Sequence, residues 1–196
     1  MTYIYIAFVD TPGFFARLIR IFLKQRYVHV ALSADQWLSE CYSVGRRNPA
    51  VPIFAGFEKE DKYSILHTFP GAYYRVCRFS CTGEQKRKIM EKLREDYERR
   101  YRIHYAVLAL PFLVLNIPFY VRDQYTCSSY LAKALKEQGI NIADKHFSLV
   151  TPKDFYEYEP MEVVFEGKLA RLVADDEAAW REGPVSHWLE GVSVYE

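Results

Sequence analysis

The sequence predicts an α+β domain in which a small antiparallel sheet packs against helices. Segments 3–9, 27–44 and 73–80 are rich in the β-branched and aromatic residues that are typical of strands and hairpins. Segments 83–100 and 127–138 instead repeat apolar residues every three or four positions, which is typical of amphipathic helices. Strands paired as neighbours along the chain, with helices between them, are typical of this class.

Composition limits the domain count and the partners. The chain has 196 residues and a formal net charge of +1, which suits one sizeable core and gives no global attraction to nucleic acid. Four scattered cysteines without a CxxC pair match neither a disulfide framework nor a common zinc site, so we expect no metal and no other cofactor. The N-terminus lacks a signal-peptide pattern, which predicts a cytoplasmic protein, with non-classical export and peripheral membrane association left open. The sequence does not indicate the oligomeric state.

The first third of the chain predicts a strand, a helix and a hairpin. Residues 3–9 form the strand, and the helix follows over about 12–24 with a proline at its first position. The hairpin pairs residues 27–33 with 36–44 around a turn at Ala34-Asp35. A two- or four-residue loop places His29 opposite Glu40 on one face of the sheet, whereas an odd loop places Ser39 or Cys41 there.

The middle of the chain predicts a long irregular connection over 45–61 and strands over 63–69 and 73–80. Thr82 and Gln85 fit a capping box that starts the helix over about 83–100. A second, buried helix is predicted over 104–115, followed by an extended segment to 125. The apolar run 105–121 contains two prolines and falls short of the roughly 20 residues that span a bilayer. Shallow contact with a bilayer is left open, because arginines flank this run.

The C-terminal part predicts a closing hairpin and a tail. A short helix start is predicted near 151–155, and the hairpin pairs 161–165 with 168–173. We therefore expect one domain over 1–173. The acidic segment 174–196 is predicted to be a loosely attached tail, with Trp180 and Trp188 as docking points.

Residues 123–130 contain the most informative position, Cys127. Thr126 can cap the N-terminus of the following helix and Gly139 can end it. Cys127 then lies in the first turn, where free N–H groups and the helix dipole favour a thiolate, which is the nucleophilic form. The competing interpretation is a small apolar residue that packs the start of its helix.

A nucleophilic cysteine needs a base and a group that orients the base. His29 is the one histidine predicted to lie in a short strand beside a carboxylate, that of Glu40. His67 has no acidic neighbour in its predicted strand, and its combination with Cys77 and Cys81 matches no common zinc spacing. The spacing of Cys127 and His29 in the sequence leaves their distance in the fold open.

Three segments carry a resemblance to a known family. They are the strand residues 29–33, the segment 39–47 that follows, and much later the segment 125–135 around Cys127. Together they resemble circularly permuted NlpC-type papain-like cysteine hydrolases, the group that includes YiiX-like proteins and relatives of lecithin–retinol acyltransferase. In this group the histidine precedes the cysteine, as it does here. The similarity covers most of residues 1–173, although only the histidine strand and the cysteine helix have matching motifs.

The resemblance implies a papain-like sheet or half-barrel with the nucleophile at a helix N-terminus. It makes Cys127 the nucleophile, His29 the general base and Glu40 the orienting residue. The Cys127 N–H would stabilise the oxyanion, and residues near the substrate would be Gln124, Tyr125, Ser128 and Arg46. The implied reaction is hydrolysis of an amide or ester bond through a thiol acyl-enzyme. The implied substrate is a peptide, cell-wall-derived in some relatives, or an acyl lipid.

Two alternatives stay open at this point. A non-catalytic module could use the same fold to bind a peptide or a lipid. A thiol acyltransferase would pass its acyl group to an amine or alcohol instead of water.

Overall fold

The computed structural model describes residues 1–11, 20, 26–48 and 51–182 of the chain; the side chains of 46, 48 and 51–54 are outside this description. The predicted helix over 12–24 lies mostly outside the described residues. The described part is a mixed α/β structure built on one sheet of eight strands. The strands are β1 (Thr2–Asp10), β2 (His29–Ser33), β3 (Cys41–Asn48), β4 (Val51–Lys59), β5 (Tyr73–Cys81), β6 (His104–Tyr105), β7 (Gln124–Tyr125) and β8 (Glu162–Lys168).

The sheet has the strand order β7-β6-β4-β3-β2-β1-β5-β8, and its pairs are antiparallel except for β6 with β7. Six α-helices accompany it in the described residues. They are α1 (Lys62–Thr68), α2 (Gly83–Glu98), α3 (Ala109–Val114), α4 (Cys127–Lys136), α5 (Pro152–Tyr156) and α6 (Leu169–Glu182). The coarse prediction of a mixed structure with a largely antiparallel sheet is confirmed.

Both faces of the sheet are covered, which explains why β1 is apolar along most of its length. Ile4, Ile6 and Phe8 point into a core that includes residues of α2 and α4. Ala7 and Val9 point to the opposite face, where a second core includes residues of α6. Successive side chains of a strand alternate between faces, so a strand between two cores needs apolar residues on both.

Several local predictions are confirmed. Residues 3–9 lie within β1, and β5 covers the predicted strand 73–80. Helix α2 begins with the predicted capping box, in which the Thr82 hydroxyl accepts from the Gln85 N–H at 3.1 Å and the Gln85 side chain accepts from the Thr82 N–H at 2.9 Å. These signals are local, since a cap satisfies backbone groups of its own first turn.

Other predictions are wrong, and each error has a physical reason. Segment 45–61 is mainly the hairpin of β3 and β4, although Pro52 and Gly56 are poor strand residues. Segment 63–69 lies largely in helix α1, where the Asp61 side chain accepts from the Tyr63 N–H at 3.0 Å and caps the helix. Segment 104–115 contains the short strand β6 and the six-residue α3 instead of one buried helix.

The end of the chain also differs from the prediction. Residues 169–173 begin helix α6 and do not form the second strand of a hairpin; β8 pairs with β5 instead. Helix α6 continues to Glu182, so it crosses the predicted tail boundary at 174. Its Asp176 binds the Lys62 ammonium at 2.5 Å, which attaches α6 to α1. Residues 183–196, including Trp188, lie outside the described part.

Candidate active site

Helix α4 places the sulfur of Cys127 beside the start of the internal strand β2. Thr126 is the N-cap, and its hydroxyl accepts from the Ser129 N–H at 3.2 Å while the Ser129 hydroxyl accepts from the Thr126 N–H at 2.9 Å. Cys127 therefore occupies the first helical turn, as the sequence predicts. Gly139 follows the helix with φ of +78°, a conformation that glycine adopts without strain. The Cys127 thiol lies 4.0 Å from the carbonyl oxygen of Val28, the residue before His29.

His29 stands between this sulfur and a carboxylate. It is the first residue of β2, and its ring lies near enough to Cys127 for that side chain to raise the pKa of the imidazole. Its Nε2 lies 2.6 Å from Oε1 of Glu60. Because Nε2 faces the carboxylate, Nδ1 is the ring nitrogen that can meet the sulfur. The chain thus brings together a thiol, an imidazole and a carboxylate in that order.

The carboxylate beside His29 is Glu60, and the prediction of Glu40 in this position is wrong. β2 pairs with β3 through Ser33 and Cys41, so the intervening loop has an odd length and this register continues to Gly45 opposite His29. The predicted turn at Ala34-Asp35 widens because Asp35 Oδ1 accepts from the backbone N–H groups that follow it, including that of Trp37 at 2.8 Å.

Glu40 instead binds the guanidinium of Arg94 with its two carboxylate oxygens, at 2.6 and 2.8 Å. The Tyr42 hydroxyl donates to the same carboxylate at 3.0 Å. The hydrogen bond from Arg94 lowers the pKa of Glu40. Glu40 therefore ties β3 to α2 and has no role beside the imidazole.

Two hydrogen bonds hold Glu60 in place, and its side chain is largely buried. It follows β4, and its backbone N–H donates to the carbonyl oxygen of Cys41 at 2.8 Å. Its Oε1, besides facing His29, accepts from the Ser43 hydroxyl at 2.5 Å. Its side chain is only 13 % exposed, so the carboxylate acts in a weakly screened environment.

Gly45 gives the imidazole its space. A Cβ atom at Gly45 would lie 3.0 Å from Cε1 of His29 and 3.2 Å from the Ser43 hydroxyl oxygen. Both distances are shorter than ordinary van der Waals contact, so the absent side chain is what allows the ring to lie flat against β3.

The electrostatics of the site favour a protonated imidazole. Burial alone would lower the pKa of His29, but the negative charge of Glu60 and the hydrogen bonds to Cys127 and Glu60 raise it to about 10. Burial also raises the pKa of the Tyr105 phenol, on β6, and the charge of Cys127 raises it further. An imidazolium beside a sulfur provides the charge that a thiolate needs.

The remaining predicted site residues lie elsewhere or are committed to other contacts. Ser128 donates to the carbonyl oxygen of Val150 at 2.6 Å and is buried. The Tyr125 hydroxyl meets Tyr120 at 2.9 Å and Lys133 at 3.0 Å. Gln124 is a partly buried residue of β7. The backbone of Arg46 lies in β3, but its side chain lies outside the described part of the chain.

Sequence reasoning missed Glu60, Ser43, Gly45 and Tyr105. Asn48-Pro49 is a turn signal, and a hairpin with its turn near these residues would have brought the segment around residue 60 back along the start of β3 and close to the histidine strand. Glu60 itself lies within the charged run 58–62, where nothing local distinguishes it from Glu58.

The imidazole of His29 is more exposed to solvent than Cys127. The residue Cys127 is 3 % exposed, whereas the His29 side chain is 24 % exposed. The other three cysteines are Cys41 and Cys77, which are buried, and Cys81, which is partly exposed. Burial raises the pKa of all three of those thiols.

In the described residues no group of three or more His, Cys, Asp or Glu side chains could hold a metal ion. A scan against protein-family models, a search of curated proteins and a search of solved structures each found no match to this chain.

Proposed function

We propose that the chain is a cysteine hydrolase of the permuted papain-like type, with Cys127 as nucleophile, His29 as general base and Glu60 as the residue that orients His29. The observation that carries the proposal is the position of the His29 ring between the Glu60 carboxylate, at 2.6 Å, and the Cys127 thiol. A nucleophile, a base and an orienting group in contact are the arrangement that thiol catalysis requires.

Each residue would have a defined part in the reaction. The Cys127 thiolate attacks a carbonyl carbon of an amide or ester, and the negative charge passes to the carbonyl oxygen. The backbone N–H of Cys127, in the first turn of α4, is a donor for this oxyanion. His29 then gives its proton to the departing amine or alcohol, which leaves an acyl group on the sulfur.

Hydrolysis would complete the cycle. Neutral His29 removes a proton from water, the oxygen attacks the thioester carbonyl, and the carboxylic acid product leaves as the thiolate is restored. Glu60 keeps Nε2 occupied throughout, so Nδ1 stays directed at the reacting atoms. A carboxylate in this place favours the imidazolium more strongly than an amide would.

Peptides and acylated molecules are the substrate classes we propose, on the family resemblance. Transfer of the acyl group to an amine or alcohol in place of water is the related activity. The two reactions share the acyl-enzyme and differ in the molecule that attacks it, so product analysis with and without an added amine separates them.

The proposal is tested by labelling with iodoacetamide at neutral pH, followed by peptide mass spectrometry. We expect the label on Cys127 and little on Cys81, the partly exposed cysteine, whose thiol pKa is raised by burial. His29→Ala should slow Cys127 labelling by roughly ten-fold. An activated ester such as p-nitrophenyl acetate should leave an acyl group on Cys127.

A second candidate function, a non-catalytic binding module, is favoured by one observation: the small exposed fraction of Cys127, 3 %. Under that hypothesis the thiol is a core residue and His29 a structural partner of Glu60. Equal labelling of Cys127 and Cys81, or no effect of His29→Ala, would support the binding module and contradict the hydrolase.

A further inference from the structure

Residues 107–121, which we term the apolar ledge, expose an unusual amount of hydrophobic surface. The described residues expose thirteen large hydrophobic side chains, and seven of them lie in the ledge: Val107, Leu108, Val114, Leu115, Ile117, Tyr120 and Val121. Leu108 is 70 % exposed and Leu115 is 67 % exposed. The ledge contains no charged residue. A contiguous apolar patch of this kind marks a surface that meets another apolar phase or partner.

The ledge is held in a defined conformation. Helix α3 forms its first half, and the ring of Phe112 stacks on Phe119 with centroids 4.3 Å apart. The Ile117 N–H donates to the carbonyl oxygen of Phe112 at 2.9 Å, which closes the turn between the two rings. These contacts fix the backbone while its large apolar side chains remain directed outward.

Positive charge flanks the ledge at both ends. Arg122 follows it with a side chain that is 92 % exposed and lies 3.7 Å from the Asp123 carboxylate, and the exposed Arg102 precedes it by a few residues. Arg99 and Arg100 lie farther upstream, and each is paired with a carboxylate. An uncharged apolar centre between arginines is the pattern of segments that lie in the interface of an anionic bilayer.

We propose that the apolar ledge docks on a phospholipid bilayer that contains anionic headgroups. Its leucine and valine side chains enter the boundary of the acyl chains, and Arg102 and Arg122 contact the phosphates. A second copy of this chain fits less well, because a symmetric contact through the ledge would bring the two sets of arginines together. Among the described residues, none of the helices has the length and hydropathy of a membrane span.

Docking would bring the candidate active site close to the bilayer. The ledge connects β6 to β7, and β7 is followed directly by the helix that begins at Cys127. The docking proposal nevertheless stands on the surface alone and does not require Cys127 to be catalytic.

The test is sedimentation of the full chain with phosphatidylcholine vesicles, with and without phosphatidylserine. We expect binding to vesicles that contain phosphatidylserine, weakened by salt. Leu115→Glu should reduce the partition coefficient at least ten-fold, because a charge replaces an inserted leucine. Trp180→Glu is the matched control, since Trp180 is 68 % exposed on α6, outside the ledge, and its replacement should leave binding unchanged. Arg122→Gln should reduce binding to anionic vesicles by about five-fold.

Three outcomes would overturn the proposal. They are no binding of the unaltered chain, equal effects of Leu115→Glu and Trp180→Glu, and conversion of a dimer to a monomer by Leu115→Glu while vesicle binding persists. The last outcome would assign the ledge to a contact between copies. Cys127→Ala separates this proposal from the hydrolase: it should bind vesicles like the unaltered chain whether or not Cys127 reacts with electrophiles.

Discussion

Replacing Glu60 with glutamine tests the electrostatic core of the proposed mechanism. The pKa of His29 is raised from 6.5 to about 10, which corresponds to roughly 5 kcal/mol of preference for the imidazolium. Glu60 contributes to this preference through its negative charge and its hydrogen bond, so Glu60→Gln should remove most of the preference for the imidazolium. Burial would then dominate and favour the neutral imidazole at pH 7. The reactivity of Cys127 should fall with it, and iodoacetamide labelling should slow by about ten-fold.

The assay is the rate of Cys127 labelling against pH, with the His29 ring followed by NMR in the same samples. Glu40→Gln is the matched control, because Glu40 is the carboxylate that the sequence predicts beside His29 but it binds Arg94. We expect Glu40→Gln to leave the labelling rate unchanged. The reasoning is refuted if the two variants label at the same rate, or if the His29 titration does not move in Glu60→Gln.

In a variant that lacks the Cys127 thiol, the free energy of unfolding should depend on pH through the His29–Glu60 pair. In Cys127→Ala the pKa of His29 stays raised by Glu60, so the folded state holds a proton that the unfolded state loses near pH 6.5. The stabilisation is fully present below pH 6.5 and is lost as pH rises through the folded pKa, at about 1.4 kcal/mol per pH unit. Urea unfolding at several pH values measures this slope, and adding Glu60→Gln should flatten it.

Three further substitutions test the supports of the site and the core. The added Cβ of Gly45→Ala should displace the His29 ring, slow labelling several-fold and cost about 1 kcal/mol of unfolding free energy. Gly71→Ala is the control: nothing lies within 4 Å of its added Cβ, so labelling should be unchanged. Thr126→Ala should cost about 1 kcal/mol in urea unfolding through loss of the cap, and an unchanged midpoint would contradict the capping box. Asp96→Asn should cost about 3 kcal/mol, because this buried carboxylate accepts hydrogen bonds from a tyrosine and two bonds from an arginine. Burial would raise the pKa of Asp96, but these hydrogen bonds lower it. The carboxylate's contribution to the free energy of unfolding is therefore lost as the pH falls below about 3.8. A destabilisation by Asp96→Asn that persists in acid would contradict this account.

The sequence predicts those parts of the fold whose signals are local. β1 and β5 have strand composition along their whole length, and the capping residues Thr82 and Thr126 mark the starts of their helices because each satisfies N–H groups within one turn. Local signals within segment 63–69 do not identify it as a helix, because its short apolar stretch fits either a strand or a helix. The N-cap residue that decides for a helix, Asp61, lies before the segment. The prediction of a buried helix over 104–115 is wrong because an apolar sequence predicts burial, whereas the side chains of this segment largely face outward.

The site is predictable in part for the same reason. Cys127 is found by its helix start and His29 by its strand, but the third residue depends on a register between strands. One additional loop residue between β2 and β3 moves every cross-strand neighbour by one and reverses the faces. The carboxylate beside His29 comes from the end of β4, twenty residues after Glu40 in sequence, and no signal within either strand encodes that approach.

The strongest argument for chemistry at Cys127 is that the pair beside it is a poor way to stabilise a core. Bringing an imidazolium and a carboxylate out of water costs several kcal/mol for each charge, and apolar replacements of such pairs are often as stable. His29 and Glu60 are nevertheless held by a serine hydroxyl, a backbone hydrogen bond and the space left by Gly45. A structural role explains any one of these features. Their convergence on one sulfur in the first turn of a helix is expected where a charge must be kept ready for reaction, and perturbed groups of this kind cluster at functional sites.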